Sequence, residues 1–443
     1  MFRHVLPISA LLLGSGFLLF AGGINSLILP VRGSAEGFSA VSLGLLGTGW
    51  AVGYVSGCIL MPRLVGRVGH VRSFGVTAAL AAISILLSLL LITPWAWIPL
   101  RGLAGFCFAG AAMIVESWLS DNAPAEQRGR IFGIYTMVNL FASTGGQMLL
   151  TLGDTAGFTF FVAAAIFYCL ALVPTAISSS QSPAPLLSVS LDLKALWRNS
   201  PVAVFAVFMV GVSNAAFGTL AAVYADRVGL ALTSIALFTA MPILAGALAQ
   251  VPVGLLSDRM DRRKVLLGVA ALALVADAAF LLLAPDGRVL NLALAAVFGA
   301  AVFSMYPVIV AHANDHAPPG SAIQVSGGLL LVFGVGSILG PLAAGAAMAA
   351  GGPSSLFAVT VAAHLAIVLF TLLRMRLRGG VAQADKVDFR ATQGRTATPQ
   401  TAVLAERDQH VVDEALGLPP DPRPAAKPGM SGLPGRGSGP RRS

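Results

Sequence analysis

Residues 254–264 read GLLSDRMDRRK and lie between two long apolar runs. Four of the last six residues are basic, and Asp258 and Asp261 stand among them. A stretch this short cannot cross a bilayer, so it predicts a tight loop that joins two membrane helices. Cytoplasmic loops of membrane proteins collect Lys and Arg. We therefore expect this loop to face the cytoplasm.

A second loop of similar pattern occurs in the first half of the chain. Residues 62–72 read PRLVGRVGHVR, again between two apolar runs, and Arg67 precedes Arg259 by 192 residues. Gly69 and Arg72 keep the pattern of glycine and basic residues. Two such loops, half a chain apart, indicate that the chain consists of two duplicated halves.

The composition is that of a membrane protein. Hydrophobic residues make up 56% of the 443 positions and charged residues only 11%, whereas about a quarter of a soluble domain is charged. The net charge of +9 falls mostly in predicted cytoplasmic loops and the tail, so we interpret it as topology and expect no nucleic-acid partner. The three cysteines lie inside apolar runs, and neither a disulfide framework, a metal site nor a cofactor is expected.

The apolar runs are about 20 residues long, enough for each to span a bilayer. They predict an all-α membrane protein with 12 transmembrane helices in two pseudo-symmetric six-helix bundles. The predicted helices are residues 5–31, 39–61, 73–92, 98–119, 129–152 and 157–177, then 201–225, 233–256, 265–284, 289–311, 323–350 and 354–373. The predicted domains are an N-terminal bundle (1–178), a cytoplasmic linker (179–200), a C-terminal bundle (201–375) and a disordered cytoplasmic tail (376–443).

The distribution of Lys and Arg predicts the orientation. With both termini inside, fifteen of the basic residues up to position 378 fall on the cytoplasmic side and three on the outside, with Arg101 inside a helix. This asymmetry favours cytoplasmic termini in the cytoplasmic membrane.

Residues 254–264 resemble the signature loop of the major facilitator superfamily, Gly-x-x-x-Asp-Arg-x-Gly-Arg-Arg. Gly254, Asp258, Arg259 and Arg262 match this pattern, and Asp261 stands where the pattern has its second glycine. The resemblance implies the major facilitator fold and a secondary transporter. In that fold the signature loops brace the cytoplasmic gate by charge pairs.

Further motifs extend the resemblance. Arg101 followed by spaced glycines resembles the helix 4 motif of the superfamily, and Arg128 falls in its Pro-x-x-x-Arg-Gly loop. Gly340-Pro341 resembles the kink motif that antiporters carry in helix 5, but here it lies in helix 11. The strings around Glu116, Asp121 and Tyr306-Pro307, with the loop near Arg72, resemble the YcaD-type branch of the superfamily.

Polar residues at membrane depth are the candidate substrate ligands. In the resembling fold, helices 1, 4, 5, 7, 10 and 11 line the central cavity; these helices carry Asn25, Arg101, Asn139, Gln147, Asn214 and Tyr306. Each amide could instead form an interhelical hydrogen bond, and Arg101 could extend outward to the headgroups. The predicted gate and motif residues are Arg67, Gly69, Arg72, Glu116, Asp121, Arg128, Gly254, Asp258, Arg259, Arg262, Gly340 and Pro341.

The sequence has no Walker loop, metal-spaced Cys/His set or nucleophile elbow, so neither an enzyme nor an ATP-driven pump is predicted. We expect a monomeric secondary transporter of a small molecule, surrounded by membrane lipid, that works by alternating access. Efflux of an amphipathic compound fits the apolar helices, and Glu116 and Asp277 are the candidate proton carriers. Two alternatives stay open: a lipid-type flippase on the same fold, and a receptor or scaffold that acts through its tail.

Overall fold

The computed structural model describes residues 2–122, 128–177, 192–318 and 321–377, and residues 379, 386, 398 and 400 of the tail. Within these ranges, the side chains of residues 2–8, 120–122, 128–130, 132 and 323 are not described. The predicted linker up to residue 191 and most of the predicted tail lie outside the described residues.

Fourteen α-helices make up the described chain, and it contains no strand. They are α1 (Phe2–Ala35), α2 (Ala40–Val68), α3 (His70–Leu90), α4 (Pro94–Asn122), α5 (Arg128–Leu149), α6 (Thr159–Leu170), α7 (Leu172–Ile177), α8 (Leu193–Asn199), α9 (Pro201–Arg227), α10 (Leu232–Arg259), α11 (Arg262–Leu283), α12 (Arg288–Asp315), α13 (Ala322–Gly351) and α14 (Leu356–Leu377). Two 3-10 helices, Leu150–Leu152 and Pro353–Ser355, follow α5 and α13.

Eleven of the described helical segments are long and apolar enough to span a membrane, counting α6 and α7 as one segment. Helix α5 is more polar, but its 22 residues reach about 33 Å, enough for the twelfth span. The predicted sixth helix is divided into α6 and α7 at Ala171. Pro174 explains this division, because it lacks an N–H for the carbonyl four residues earlier and its ring collides with that turn. The predicted all-α membrane class is confirmed.

Helix packing repeats between the two halves. In the first half α1 packs on α5, α2 on α4 and α3 on α6; in the second half α9 packs on α13, α10 on α12 and α11 on α14. The two sets correspond helix for helix, as a duplicated chain requires. Contacts between the halves are also symmetric, since α2 packs on α13 and α5 packs on α10.

The bundle has two ends because successive spanning helices alternate in direction. We call the end that carries the α1–α2, α9–α10 and α13–α14 connections the α1–α2 end. The opposite end carries the α2–α3 and α10–α11 connections, and we call it the signature-loop end.

Small residues let the two halves approach closely at the α1–α2 end. A Cβ added to Gly44 of α2 would lie 2.3 Å from the carbonyl oxygen of Pro341 on α13, and one added to Gly345 would lie 2.6 Å from the carbonyl oxygen of Ala40. The Thr48 hydroxyl donates a hydrogen bond of 2.8 Å to the carbonyl oxygen of Ile338. Backbones in this contact touch, so side chains larger than hydrogen cannot be accommodated there without a shift.

One pair of ionisable side chains is completely buried inside the second half. Asp277 of α11 and His364 of α14 are both 0% exposed, and His364 Nδ1 lies 2.5 Å from Asp277 Oδ2. Asp277 therefore has a partner on another helix. The pair fixes α14 against α11 rather than lining a cavity.

Candidate functional site

A cavity of about 420 Å³ lies between the two halves. Its lining residues come from α1, α2 and α4 of the first half and from α9 and α13 of the second half. Along α2 it extends from Leu46, near the α1–α2 end, to Arg63, near the signature-loop end. The span of 17 residues corresponds to about 26 Å of helix, most of the bilayer thickness.

The cavity is closed at the α1–α2 end. In addition to the contacts of Gly44 and Thr48, Ser34 of α1 donates a 2.7 Å hydrogen bond to Asp226 of α9. On the other flank, Thr239 of α10 donates a 2.9 Å hydrogen bond to Gln147 of α5. Each of these side chains lies in the half of its helix nearer the α1–α2 end. The cavity therefore reaches toward the signature-loop end, where the lining residue Arg63 is exposed.

Aromatic rings form one wall of the cavity. Trp50 and Tyr54, one turn apart on α2, both line it, and their rings stack with centroids 5.1 Å apart. Phe108 of α4 packs behind them, with its centroid 5.9 Å from that of Trp50. Phe333 of α13 lines the cavity from the other half. These rings offer flat apolar surfaces to a bound molecule.

Two polar lining residues are among the predicted substrate ligands, namely Arg101 and Asn214. Asn214 is only 4% exposed, and its side-chain oxygen has no hydrogen-bond partner among the described residues. A buried amide oxygen without a donor is costly. Asn214 therefore keeps an unused hydrogen-bond acceptor beside the cavity.

The other four predicted ligands do not line this cavity and contact protein side chains instead. Asn25 donates to Tyr168 at 3.4 Å, and Asn139 accepts from Ser15 at 2.8 Å. Gln147 forms the contact with Thr239 and borders a separate cavity of about 20 Å³. The ring of Tyr306 packs edge to face against Phe333, with centroids 5.5 Å apart.

Sequence reasoning missed the contribution of α2. Trp50, Tyr54 and Arg63 line the cavity, whereas from the sequence Arg63 was expected only to be one of the cytoplasmic basic residues. The spacing of Trp50 and Tyr54, four residues apart on one helical face, is the signal that could have identified this wall. Helix 2 was not among the helices expected to line the cavity.

The signature loop of the second half is organised around Arg262. This side chain is 1% exposed, and its Nε donates a 2.7 Å hydrogen bond to Asp315 at the end of α12. A second nitrogen donates to Ser257 at 3.0 Å and to Asp258 at 3.2 Å, both at the end of α10. Arg262 thus connects the ends of three helices. The local sequence around Arg262 does not indicate Asp315 as its partner.

Asp261 directly precedes α11 and acts as its N-cap. Its carboxylate accepts hydrogen bonds from the backbone N–H of Arg263 at 3.0 Å and from the Arg263 guanidinium at 2.8 and 3.1 Å. Partial burial raises the pKa of Asp261, but the hydrogen bonds and charge of Arg263 outweigh it and hold the pKa below the ordinary value. The departure from the family pattern at this position therefore supplies a capping residue.

The remaining predicted gate residues lie in varied environments. Gly69 separates α2 from α3 with φ +85°, a left-handed conformation that favours glycine, and Arg67 and Arg72 beside it are exposed. In the second half, Gly254 is buried and Arg259 is exposed. A Cβ added to Gly340 would lie 2.2 Å from the carbonyl oxygen of Val212, so α13 packs closely on α9 beside Pro341. The side chains of Asp121 and Arg128 lie outside the described residues.

Glu116 is buried near the signature-loop end of α4, at 3% exposure. Its carboxylate accepts a hydrogen bond from Thr398 of the tail and also bonds to Tyr135 of α5. It acts electrostatically on Tyr54 and Cys58, both of which line the cavity. Glu116 therefore lies just behind the cavity wall.

Comparison with known proteins identifies the family. The sequence model of the Major Facilitator Superfamily matches residues 11–327 and 203–407. The chain belongs to this superfamily, a class of membrane transporters. Within it, the chain is 27% identical to the MFS-type transporter YcaD of Salmonella typhimurium over 377 residues, 84% of this chain and 97% of that relative. It is 26% identical to YcaD of Escherichia coli O139:H28 over 344 residues, 77% of this chain and 88% of that relative. The predicted resemblance to the YcaD-type branch is confirmed.

Solved structures share the fold. The crystal structure of the nucleoside transporter NupG has a TM-score of 0.68 at 15% identity and covers 84% of this chain and 98% of that chain. A D-xylose–proton symporter has a TM-score of 0.61 at 18% identity, over 90% of this chain and 99% of that chain. The protein is therefore a multi-pass inner-membrane transporter of the major facilitator fold, not an enzyme.

Proposed function

We propose that this protein moves a small amphipathic molecule across the cytoplasmic membrane by alternating access, with both termini in the cytoplasm. The single observation that carries the proposal is the cavity between the halves, which is closed at the α1–α2 end and extends to Arg63 at the other. In the proposed orientation the structure is inward-facing. Rocking of the two halves would open the α1–α2 end and close the other.

Of the six predicted ligands, we assign substrate contact to Arg101 and Asn214, which line the cavity. Asn25, Asn139, Gln147 and Tyr306 then hold helices together, the alternative role that polar residues have in membrane bundles. The aromatic wall supplies apolar contact, which suits an amphipathic substrate better than a sugar. We propose that the protein is a monomer and that it exports its substrate from the cell.

The test begins with a thermal-shift screen of the purified full chain against a library of amphipathic metabolites and drugs. A ligand that binds the folded state raises the apparent melting temperature. Transport of each compound that raises the melting temperature is then measured by counterflow in proteoliposomes. We expect Asn214→Ala to lose the ligand-induced shift and the counterflow, with little change in melting temperature without ligand. An undiminished shift in this variant would show that the substrate does not bind in this cavity.

We further propose that Glu116 carries the coupling proton, since it is buried beside the cavity wall whereas Asp277 pairs with His364 within one half. Glu116→Gln keeps the shape of the side chain but cannot titrate. We expect it to abolish transport driven by a pH gradient while leaving counterflow intact. Equal loss of both activities would contradict a role in coupling.

A further inference from the structure

Charge is unevenly distributed over the walls of the substrate cavity. Among the described residues that line it, the charged ones are Arg63 and Arg101, and none is Asp or Glu. Glu116, which lies behind the wall, is hydrogen-bonded to Thr398 and Tyr135. Low-dielectric walls strengthen the field of such cations at the cavity surface.

Arg101 lies level with the aromatic wall. A Cβ added to Gly53 of α2 would overlap the carbonyl group of Gly102, so the α4 backbone next to Arg101 touches α2 between Trp50 and Tyr54. Asn214 of α9 lines the same cavity, and its side-chain oxygen has no hydrogen-bond partner among the described residues. A cation, two stacked rings and a hydrogen-bond acceptor therefore surround one part of the cavity.

Arg63 lies ten residues beyond Gly53 on α2, about 15 Å further toward the signature-loop end. It is exposed at the cavity mouth. The backbone positions of Arg63 and Arg101 are too far apart for one small acidic group to lie against both. The charge of Arg63 acts at the entrance instead, where a basic residue raises the local concentration of anions.

We propose that this cavity selects organic anions: molecules with an apolar, ring-bearing body, one carboxylate or similar acidic group for Arg101, and a hydrogen-bond donor for Asn214. The inference rests on the proposed function, because it assigns a substrate class to that cavity. A guanidinium pairs with a carboxylate through two parallel hydrogen bonds, while the rings of Trp50 and Tyr54 cover the apolar body. A cationic amphiphile is repelled by both arginines.

The test compares three probes with the same aromatic body and different charge: naphthaleneacetate, naphthaleneethanol and naphthylethylammonium. Their dissociation constants are measured by isothermal titration on the purified full chain in neutral detergent. We expect the anion to bind at least about tenfold more tightly than the cation, with the neutral alcohol between them.

Arg101→Gln should weaken anion binding by about tenfold or more and leave alcohol binding nearly unchanged. Arg101→Lys, which keeps the charge, should retain part of the preference. The matched control is Arg288→Gln, which removes the same charge from an exposed position at the α1–α2 end and should not alter binding.

Three results would overturn the inference: equal or tighter binding of the cation, unchanged anion affinity in a folded Arg101→Gln protein, or no binding of any probe. In the first two cases, loss of binding in Asn214→Ala would still place the probe in the cavity, so the proposed function would stand without the charge selectivity. In the third case, the library screen decides the proposed function separately.

Discussion

Arg262 shows how one side chain fixes the position of three helices at the signature-loop end. Its guanidinium is almost fully buried and is matched by the carboxylate of Asp315, which is 2% exposed. Asp258, the acid that the family pattern emphasises, is 39% exposed and contacts Arg262 from its own helix end. Ion pairs lose strength with exposure because water and salt screen them. The pair of Arg262 with Asp315 therefore contributes most to the local structure.

Replacing Arg262 should destabilise the protein much more than replacing Asp258. Arg262→Met removes the guanidinium from the buried Asp315 carboxylate, which costs about 3–5 kcal/mol in comparable pairs. Asp258→Asn removes a half-exposed partner and should cost less than about 1 kcal/mol. Unfolding monitored by circular dichroism in mixed detergent gives both values. The double replacement Arg262→Met with Asp315→Leu should recover most of the loss, and a single Arg262→Met protein as stable as the wild type would contradict this account.

Asp261 predicts a dependence of stability on acid pH. Its folded-state pKa lies below the ordinary value of 3.8, so its contribution is fully present above that value and is lost as the pH falls through the lower, folded-state pKa. Asp261→Asn should flatten this part of the profile, because Asn caps helices as well as Asp does but carries no charge. Apparent melting temperatures between pH 5 and pH 2.5 test this, and parallel profiles for the two proteins would exclude Asp261 as the cause.

At the scale of elements, the contact between α2 and α13 determines which end of the cavity is closed. Gly44, Thr48 and Pro341 bring the two backbones together at the α1–α2 end. Further along the same helices, Gly334 packs against Val55 and the cavity lies between Cys58 and Gly327. The same two helices thus form a tight contact at one end and a separated pair at the other, as a rocking motion requires.

Gly44→Ala should shift the protein away from this conformation. The added methyl group would lie 2.3 Å from the Pro341 carbonyl oxygen, so the helices must separate at the α1–α2 end. Spin labels at Val41 and Ala350, near the adjoining ends of α2 and α13, should show a longer mean distance in double electron–electron resonance measurements. Gly75→Ala is the matched control, since nothing lies within 4 Å of the added methyl group. Identical distance distributions in wild type and Gly44→Ala would show that this contact does not control the conformation.

At the scale of the whole molecule, the described tail residues contact both halves. Lys386 donates a 2.6 Å hydrogen bond to the carbonyl oxygen of Met260 in the second-half signature loop. Thr398 and Gln400 are buried, at 1% and 5% exposure, and Thr398 bonds to Glu116 in the first half. The described tail residues thus bridge the two halves at the signature-loop end. The predicted disordered tail otherwise lies outside the described residues.

Removing the Thr398 hydroxyl should lower stability, because it leaves the buried Glu116 carboxylate with one hydrogen bond fewer. Leaving a buried acceptor without its donor costs about 1–3 kcal/mol. Thr398→Val, which keeps the side-chain shape, should therefore lower the apparent melting temperature of the purified full chain. Thr398→Ser restores the hydroxyl and should behave as the wild type. If the Thr398→Val protein has the same apparent melting temperature as the wild type, this contact has no net effect on stability.

Much of the fold could be predicted because helix length and loop charge are local properties of the sequence. α9 was predicted at residues 201–225 and extends over Pro201–Arg227, and α10 was predicted at 233–256 and extends over Leu232–Arg259. The candidate site could be predicted only in part. Arg101 and Asn214 were predicted because polar groups are rare at membrane depth. In the sequence, Arg63 resembles an ordinary loop residue and Trp50 an ordinary membrane residue, and only the position of α2 in the fold shows that they line the cavity.

The sequence by itself determined the class of the protein, its helices and the duplication, through apolar runs and two related loops. Tertiary structure decided which polar residues line the cavity, which acid pairs with Arg262 and which end of the cavity is closed. Glu116 and Thr398 are 282 residues apart in sequence, and Thr48 and Ile338 are 290 apart. Such contacts depend on the packing of helices from both halves, where a displacement of a few ångströms makes or breaks a hydrogen bond, and no local pattern of residues encodes that position.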